Sequence, residues 1–184
     1  LDQVQATALA DRLGSASWQV VSVEEKEKNQ RPAPPFITST LQQEGSRKLH
    51  LGAKETMRIA QQLYESGLIT YMRTDSPSLS QEGITASRTA AEQLYGPEYL
   101  SPSPRQYSAK NTSAQEAHEA IRPAGEQFVH PDRSGLDGKE RLLYEMIWKR
   151  TLASQMAEAV KAVTTVKISA DNTIFGASGN RIVF

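Results

Sequence analysis

The chain has 184 residues, with 21 Lys and Arg balanced by 21 Asp and Glu, no cysteine, and 38% hydrophobic residues. That length allows one or two domains with a buried core, and the lack of thiols excludes disulfides and thiolate metal sites. No apolar run reaches the roughly 20 residues of a membrane helix and no signal-peptide pattern opens the chain, so no membrane role and a cytoplasmic location are expected.

Leu1 stands where a start methionine would, and the apolar Arg181-Ile182-Val183-Phe184 block stops without a turn, so both ends are expected to be cut from a longer polypeptide. Val4, Ala8, Leu9 and Leu13 fall at helical spacing, and Gly14 follows as a stop signal. Trp18 to Val23 reads as a strand that runs into the mixed charges Glu24-Glu25-Lys26-Glu27-Lys28, taken as its solvated end. Pro32, Pro34 and Pro35 make 29–35 a stiff linker and a boundary.

Ser39-Thr40-Leu41-Gln42 fits a capping box, which predicts a short helix from Ser39 to about Gly45. Lys54 to Ser66 predicts a second helix with Met57, Ala60, Leu63 and Tyr64 on one face, closed by Gly67. An apolar strand from Leu68 then breaks into Tyr71, Arg73, Thr74, Asp75 and Ser76. Two helices and a strand in this order resemble the winged-helix layout of DNA-binding domains.

Ser78 or Ser80 caps a further helix to Tyr95, closed by Gly96, and 99–111 reads as loop. Ser113-Ala114-Gln115-Glu116 is a second capping box, opening a short helix that carries His118 and ends before Pro123. Asp137 opens a long helix to about Met156, with Leu143, Met146, Ile147, Arg150 and Leu152 near one side and Tyr144 and Trp148 as packing residues. Val160 to Ser169 alternates as a strand, Asp171-Asn172 turns into Thr173 to Ala177, and Gly179-Asn180 makes a second turn. The expected class is α+β: a helical, winged-helix-like domain at 32–157, inserted into a small β-rich domain whose pieces lie at 1–31 and 158–184.

Net charge is zero, yet between Arg47 and Arg73 five cations face two anions, a local +3. Tyr71, set among a cation, a carboxylate and two hydroxyls, is a candidate catalytic residue. On an extended backbone Arg73 shares its face, and an Arg73 to Asp75 ion pair is the structural reading. Glu116, His118 and Glu119 lack the spacing of helix metal ligands, because the residue four after His118 is Arg122, so no metal site is expected.

Three segments, Gly67 to Ser76, Pro34-Pro35-Phe36-Ile37-Thr38-Ser39-Thr40-Leu41-Gln42-Gln43-Glu44, and Ala117-His118-Glu119-Ala120-Ile121-Arg122-Pro123, resemble the type IA DNA topoisomerases in order and spacing. Leu68 and Met72 are closer to the bacterial topoisomerase I branch than to topoisomerase III. The resemblance implies that Tyr71 attacks a DNA phosphodiester and is joined to the 5′ phosphate, with Arg73 catalytic and with Arg73, His118, Arg122, Thr74 and Ser76 on DNA. It implies partners in single-stranded and negatively supercoiled DNA and in the other domains of the same enzyme. It also implies Mg²⁺ held by an acidic toprim domain whose Asp-x-Asp pattern this chain lacks, so that the fragment alone lacks relaxation activity. In that family one strand is cut, the tyrosine-bearing domain swings away, a second strand passes, and the ends are rejoined; 29–35 and 154–159 are the expected flexing points. The competing expectation is a non-enzymatic winged-helix DNA-binding module. A recombinase or relaxase tyrosine fits less well, for want of several Arg and His or a His metal cluster near Tyr71.

Overall fold

The computed structural model describes residues 1–108 and 118–184, so the Ser113 to Glu116 capping box lies outside the described residues, while 118–122, expected on the helix it opens, are not helical. The chain divides into two compact units, one of Leu1–Gln30 with Glu158–Phe184 and one of Arg31–Ala157.

The first unit opens with α1 (Gln3–Gly14), whose start is fixed by a reciprocal cap in which Asp2 accepts from the Gln5 amide and Gln5 from the Asp2 amide. Three antiparallel strands follow in the order β1-β2-β3: β1 (Trp18–Gln30), β2 (Ala159–Ala170) and β3 (Thr173–Ile182). Asp171 and Asn172, at φ 42 and 58, form the tight turn between β2 and β3. Gly179-Asn180 is not a turn, since Asn180 pairs with Val163 and Gly179 with Thr164 inside β3. The mixed-charge run is solvated, as expected, and β1 continues through it, every residue from Ser22 to Gln30 pairing with β2. Alternation sorts that run, placing Lys26 and Lys28 on one face and Glu25 and Glu27 on the other.

The second unit is helical: α2 (Thr38–Leu49), α3 (Ala53–Glu65), α4 (Gln81–Tyr95) and α5 (Gly138–Ser154). Thr56, Ile59, Ala60 and Leu63, spaced as one helix face, are the buried residues of α3. Each large apolar side chain of this kind contributes roughly 1.5–3 kcal/mol on burial. α5 is the central helix, burying Leu143, Tyr144, Met146, Ile147, Trp148 and Leu152 against Phe36, Leu41, Ile69 and Ile121. Its Tyr144 hydroxyl donates to the Val129 carbonyl at 2.7 Å, and burial pushes that phenol up to about 12.

α2 departs from expectation at both ends. Its N-cap is Ile37, whose amide donates to the Thr40 hydroxyl at 3.0 Å, and the helix runs four residues past Gly45. Gly45 is a contact point, not a stop: a Cβ there would meet Thr56 Oγ1 at 2.9 Å, so the glycine lets α2 and α3 approach closely.

The segment after α3 is extended but is not a strand. Ile69 forms one isolated bridge to Pro123 and Phe36 one to Ile121, and among the described residues the unit has no β-ladder to serve as a wing. No helix among the described residues is long and apolar enough to cross a membrane.

Candidate active site

The segment 70–75 alternates as a strand would, without strand partners. Tyr71, Arg73 and Asp75 are exposed while Met72 and Thr74 are buried. Hydroxyl groups take the place of a ladder. Thr70 donates from its hydroxyl to the Ala120 carbonyl at 2.7 Å and from its amide to the Arg122 carbonyl at 2.9 Å, and its hydroxyl accepts the Arg122 amide at 3.0 Å. At the other end, Thr38 donates its hydroxyl to the Met72 carbonyl at 2.8 Å and accepts the Thr74 amide at 2.9 Å.

Between these anchors Tyr71 and Arg73 face one open cleft of about 480 Å³, lined also by Ile37, Thr38, Ser39, Gln42, Thr74, Asp75 and His118. Tyr71 is 38% exposed and has two other rings close by. Tyr64 meets it edge-on with centroids 5.3 Å apart, and His118 lies 5.7 Å away on a tilted plane. Among the described residues Arg73 forms no ion pair or hydrogen bond, so the Arg73 to Asp75 pair is not formed and the guanidinium is free to meet an anion in the cleft.

Arg122 lies inside the protein, while Thr74 lines the cleft with little exposure. Arg122 is 4% exposed. Its Nε donates to Glu119 at 2.9 Å, one terminal nitrogen donates to the Pro123 and Gly125 carbonyls, and the other to Ser80, Glu82 and Glu119. All of its donors are engaged, and its phosphate-binding capacity is used up inside the protein. It braces 119–125 against the N-terminus of α4, where a Cβ on Gly83 would meet its Nε at 2.7 Å. Burial alone would raise the Glu119 carboxyl, but the hydrogen bonds and charge of Arg122, helped by Ser80, hold it below the ordinary carboxylate value. Thr74 is buried, and its hydroxyl accepts the Ser76 amide at 3.0 Å. Ser76 in turn accepts the Ser78 amide at 3.3 Å and is not part of the cleft lining.

Sequence reasoning missed Thr38 and the placement of Tyr64. Thr38 sat inside the Pro34 to Glu44 segment, whose likeness to the family was the available signal. Tyr64 falls on the helical face that also carries Leu63, yet its ring is 43% exposed and turned to Tyr71. Among the described residues no group of three or more His, Asp or Glu side chains able to hold a metal stands together, and the cleft lining they form has Asp75 as its one carboxylate.

The family model for DNA topoisomerase matches residues 1–184. The chain belongs to that family. It is 60% identical over its whole length to DNA topoisomerase 1 of Synechococcus elongatus, covering 21% of that protein, and 54% identical to DNA topoisomerase 1 of Mycobacterium leprae, covering 20%. The full-length topoisomerase I structure from Thermotoga maritima superimposes with a TM-score of 0.75 at 32% identity, over all of this chain and 30% of that one. The chain thus spans about a fifth of the length of the curated relatives it matches. Its α+β architecture is similar to that of the topoisomerase I structure.

Proposed function

We propose that this chain is the tyrosine-bearing portion of a bacterial type IA topoisomerase, a cytoplasmic enzyme that cuts one DNA strand and relaxes negative supercoils by strand passage without ATP. The Tyr71 hydroxyl gives up its proton as its oxygen attacks phosphorus, the Tyr71 O–P bond forms, the P–O3′ bond breaks, and the 3′ oxygen takes up one proton and leaves as a hydroxyl. A phenol, with an ordinary pKa of about 10, is a better leaving group than a sugar hydroxyl, so the ester is readily reversed by the waiting 3′ hydroxyl. Arg73 holds a non-bridging phosphate oxygen as charge develops, and His118, beside the Tyr71 ring, contacts DNA. One observation carries this reading: an exposed tyrosine, an arginine with no partner among the described residues and a histidine share a single cleft.

The donor set of the cleft does not fit Mg²⁺. In this proposal the ion belongs to a toprim domain of the intact enzyme, and no step on these residues runs through it. Without that domain the portion described here binds a single strand and does not relax DNA. The chain crossings at 29–35 and 154–159 absorb the opening of the gate. Of the winged-helix expectation we keep the helix pair α2 and α3 leading into the extended Tyr71 segment, as the surface that meets DNA. Trapping the protein–DNA adduct formed by the intact protein with a single-stranded oligonucleotide and mapping it by mass spectrometry tests the proposal. A nucleotide on Tyr71 supports it; no adduct supports the binding-module reading instead.

A further inference from the structure

The hydroxyl of Thr38 holds both sides of the peptide unit that carries Arg73. It donates to the Met72 carbonyl at 2.8 Å, with the Thr74 carbonyl at 3.1 Å as the alternative acceptor, and it accepts the Thr74 amide at 2.9 Å. The Thr38 amide adds a fourth contact, to the Thr74 carbonyl at 2.9 Å. Residue 73 is therefore bracketed by one side chain from the first residue of α2, across 34 to 36 positions of sequence. Arg73 itself has no hydrogen bond or ion pair among the described residues, so its position is set by the backbone beneath it. Met72, buried at 4% exposure, fixes the side-chain direction on one side but leaves its carbonyl and the Thr74 amide to Thr38.

We infer that Thr38 is a positioning residue for Arg73: its hydroxyl fixes the backbone at 72–74 so that the guanidinium is already placed where phosphate charge develops. The inference rests on the reading of Tyr71 and Arg73 given above. Preorganisation of this kind affects the chemical step more than ground-state binding, since a displaced cation can still attract DNA but no longer sits at the developing charge. Removing the hydroxyl while keeping the side-chain volume leaves the Met72 carbonyl and Thr74 amide without their partner, which on the scale of one hydrogen bond is about a tenfold effect.

The test uses the intact protein carrying Thr38→Val, Thr38→Ser, Arg73→Ala and the Thr38→Val/Arg73→Ala double variant, with single-turnover cleavage of a single-stranded oligonucleotide. Thr38→Val is expected to slow cleavage about tenfold with oligonucleotide affinity within about twofold of wild type, and Thr38→Ser to recover most of the loss. In the Arg73→Ala background, Thr38→Val is expected to have almost no further effect, because the residue it positions is gone. Independent losses that multiply in the double variant, or a Thr38→Val rate equal to wild type, would overturn the inference. Amide exchange at Thr74 reads the clamp without reference to activity: about tenfold faster exchange in Thr38→Val supports it, and unchanged exchange overturns it. Should wild-type protein give no Tyr71 adduct while Thr74 exchange still accelerates, the functional reading fails and the clamp on residues 72–74 stands.

Discussion

The Arg122 Nε lies 2.9 Å from Glu119 Oε2, and Glu119 is the residue next to His118 on the wall of the cleft. The pair joins the 118–123 stretch to α4 through Ser80 and Glu82, so the segment that delivers His118 is held by an ion network centred on the buried Arg122.

Arg122→Ala is therefore expected to act on stability first. Removing Arg122 takes the cation from a partly exposed Glu119 and the donors from the Pro123 and Gly125 carbonyls, and destabilises by about 1–3 kcal/mol. Chemical denaturation of the intact protein checks the magnitude. The slope of DNA affinity against salt concentration should be unchanged, because a phosphate contact is not being lost.

Gly45→Ala and Gly83→Ala probe two close approaches. The first drives a methyl into Thr56 and the second into Arg122, each under 3.0 Å. Overpacking of this kind destabilises by about 1–3 kcal/mol, against a gain of up to about 1 kcal/mol in helix propensity, so both variants should melt lower than wild type. Gly83→Ala should also loosen the Arg122 network, seen as faster amide exchange at Ala120 and Ile121.

Glu44 gives a pH signature. Hydrogen bonds from Arg47, then from Lys48, lower its carboxyl from an ordinary 4.5 to about 2. A carboxyl depressed in the folded state adds stability above its unfolded pKa, and that stability drains away as pH falls through the folded value. The wild type should thus lose stability relative to Glu44→Gln between about pH 4.5 and pH 2, with the two curves parallel above that window. Thermal melts across that range check the sign.

Much of the helical framework was legible because its signals are local. Ser80 caps α4 and accepts the Gly83 amide at 3.1 Å, and Gly96 closes the helix, both as the sequence indicates. The apolar period put Ala60 and Leu63 on the buried face of α3, but that face turns toward Thr56 and Ile59 and leaves the expected Tyr64 exposed. What was not legible depends on partners distant in sequence. Gly45 carries the same letter whether it ends a helix or admits a neighbour, and only Thr56 decides between them. Residues 70–75 carry the alternation of a strand, but the groups that satisfy their backbone are hydroxyls and carbonyls at Thr38, Ala120 and Arg122. The resemblance of its motif alone puts Arg122 on DNA, and an arginine there suits a cleft and a buried network equally well. Its neighbours at Glu82 and Gly125 are what place it in the second.

Arg73→Ala should slow oligonucleotide cleavage about a hundredfold or more while DNA affinity changes little, since one preorganised cation acting on developing charge is worth that much. Quench-flow cleavage alongside a binding titration separates the two. A wild-type cleavage rate would remove Arg73 from the phosphate role.

The most direct measurement is relaxation of negatively supercoiled plasmid by the intact protein carrying Tyr71→Phe. The phenyl ring keeps its contacts with Tyr64 and His118, and only the attacking oxygen is lost. Complete loss of relaxation and of covalent adduct, with single-strand binding retained, is the predicted result; relaxation at the wild-type rate would contradict the assignment of Tyr71 as nucleophile.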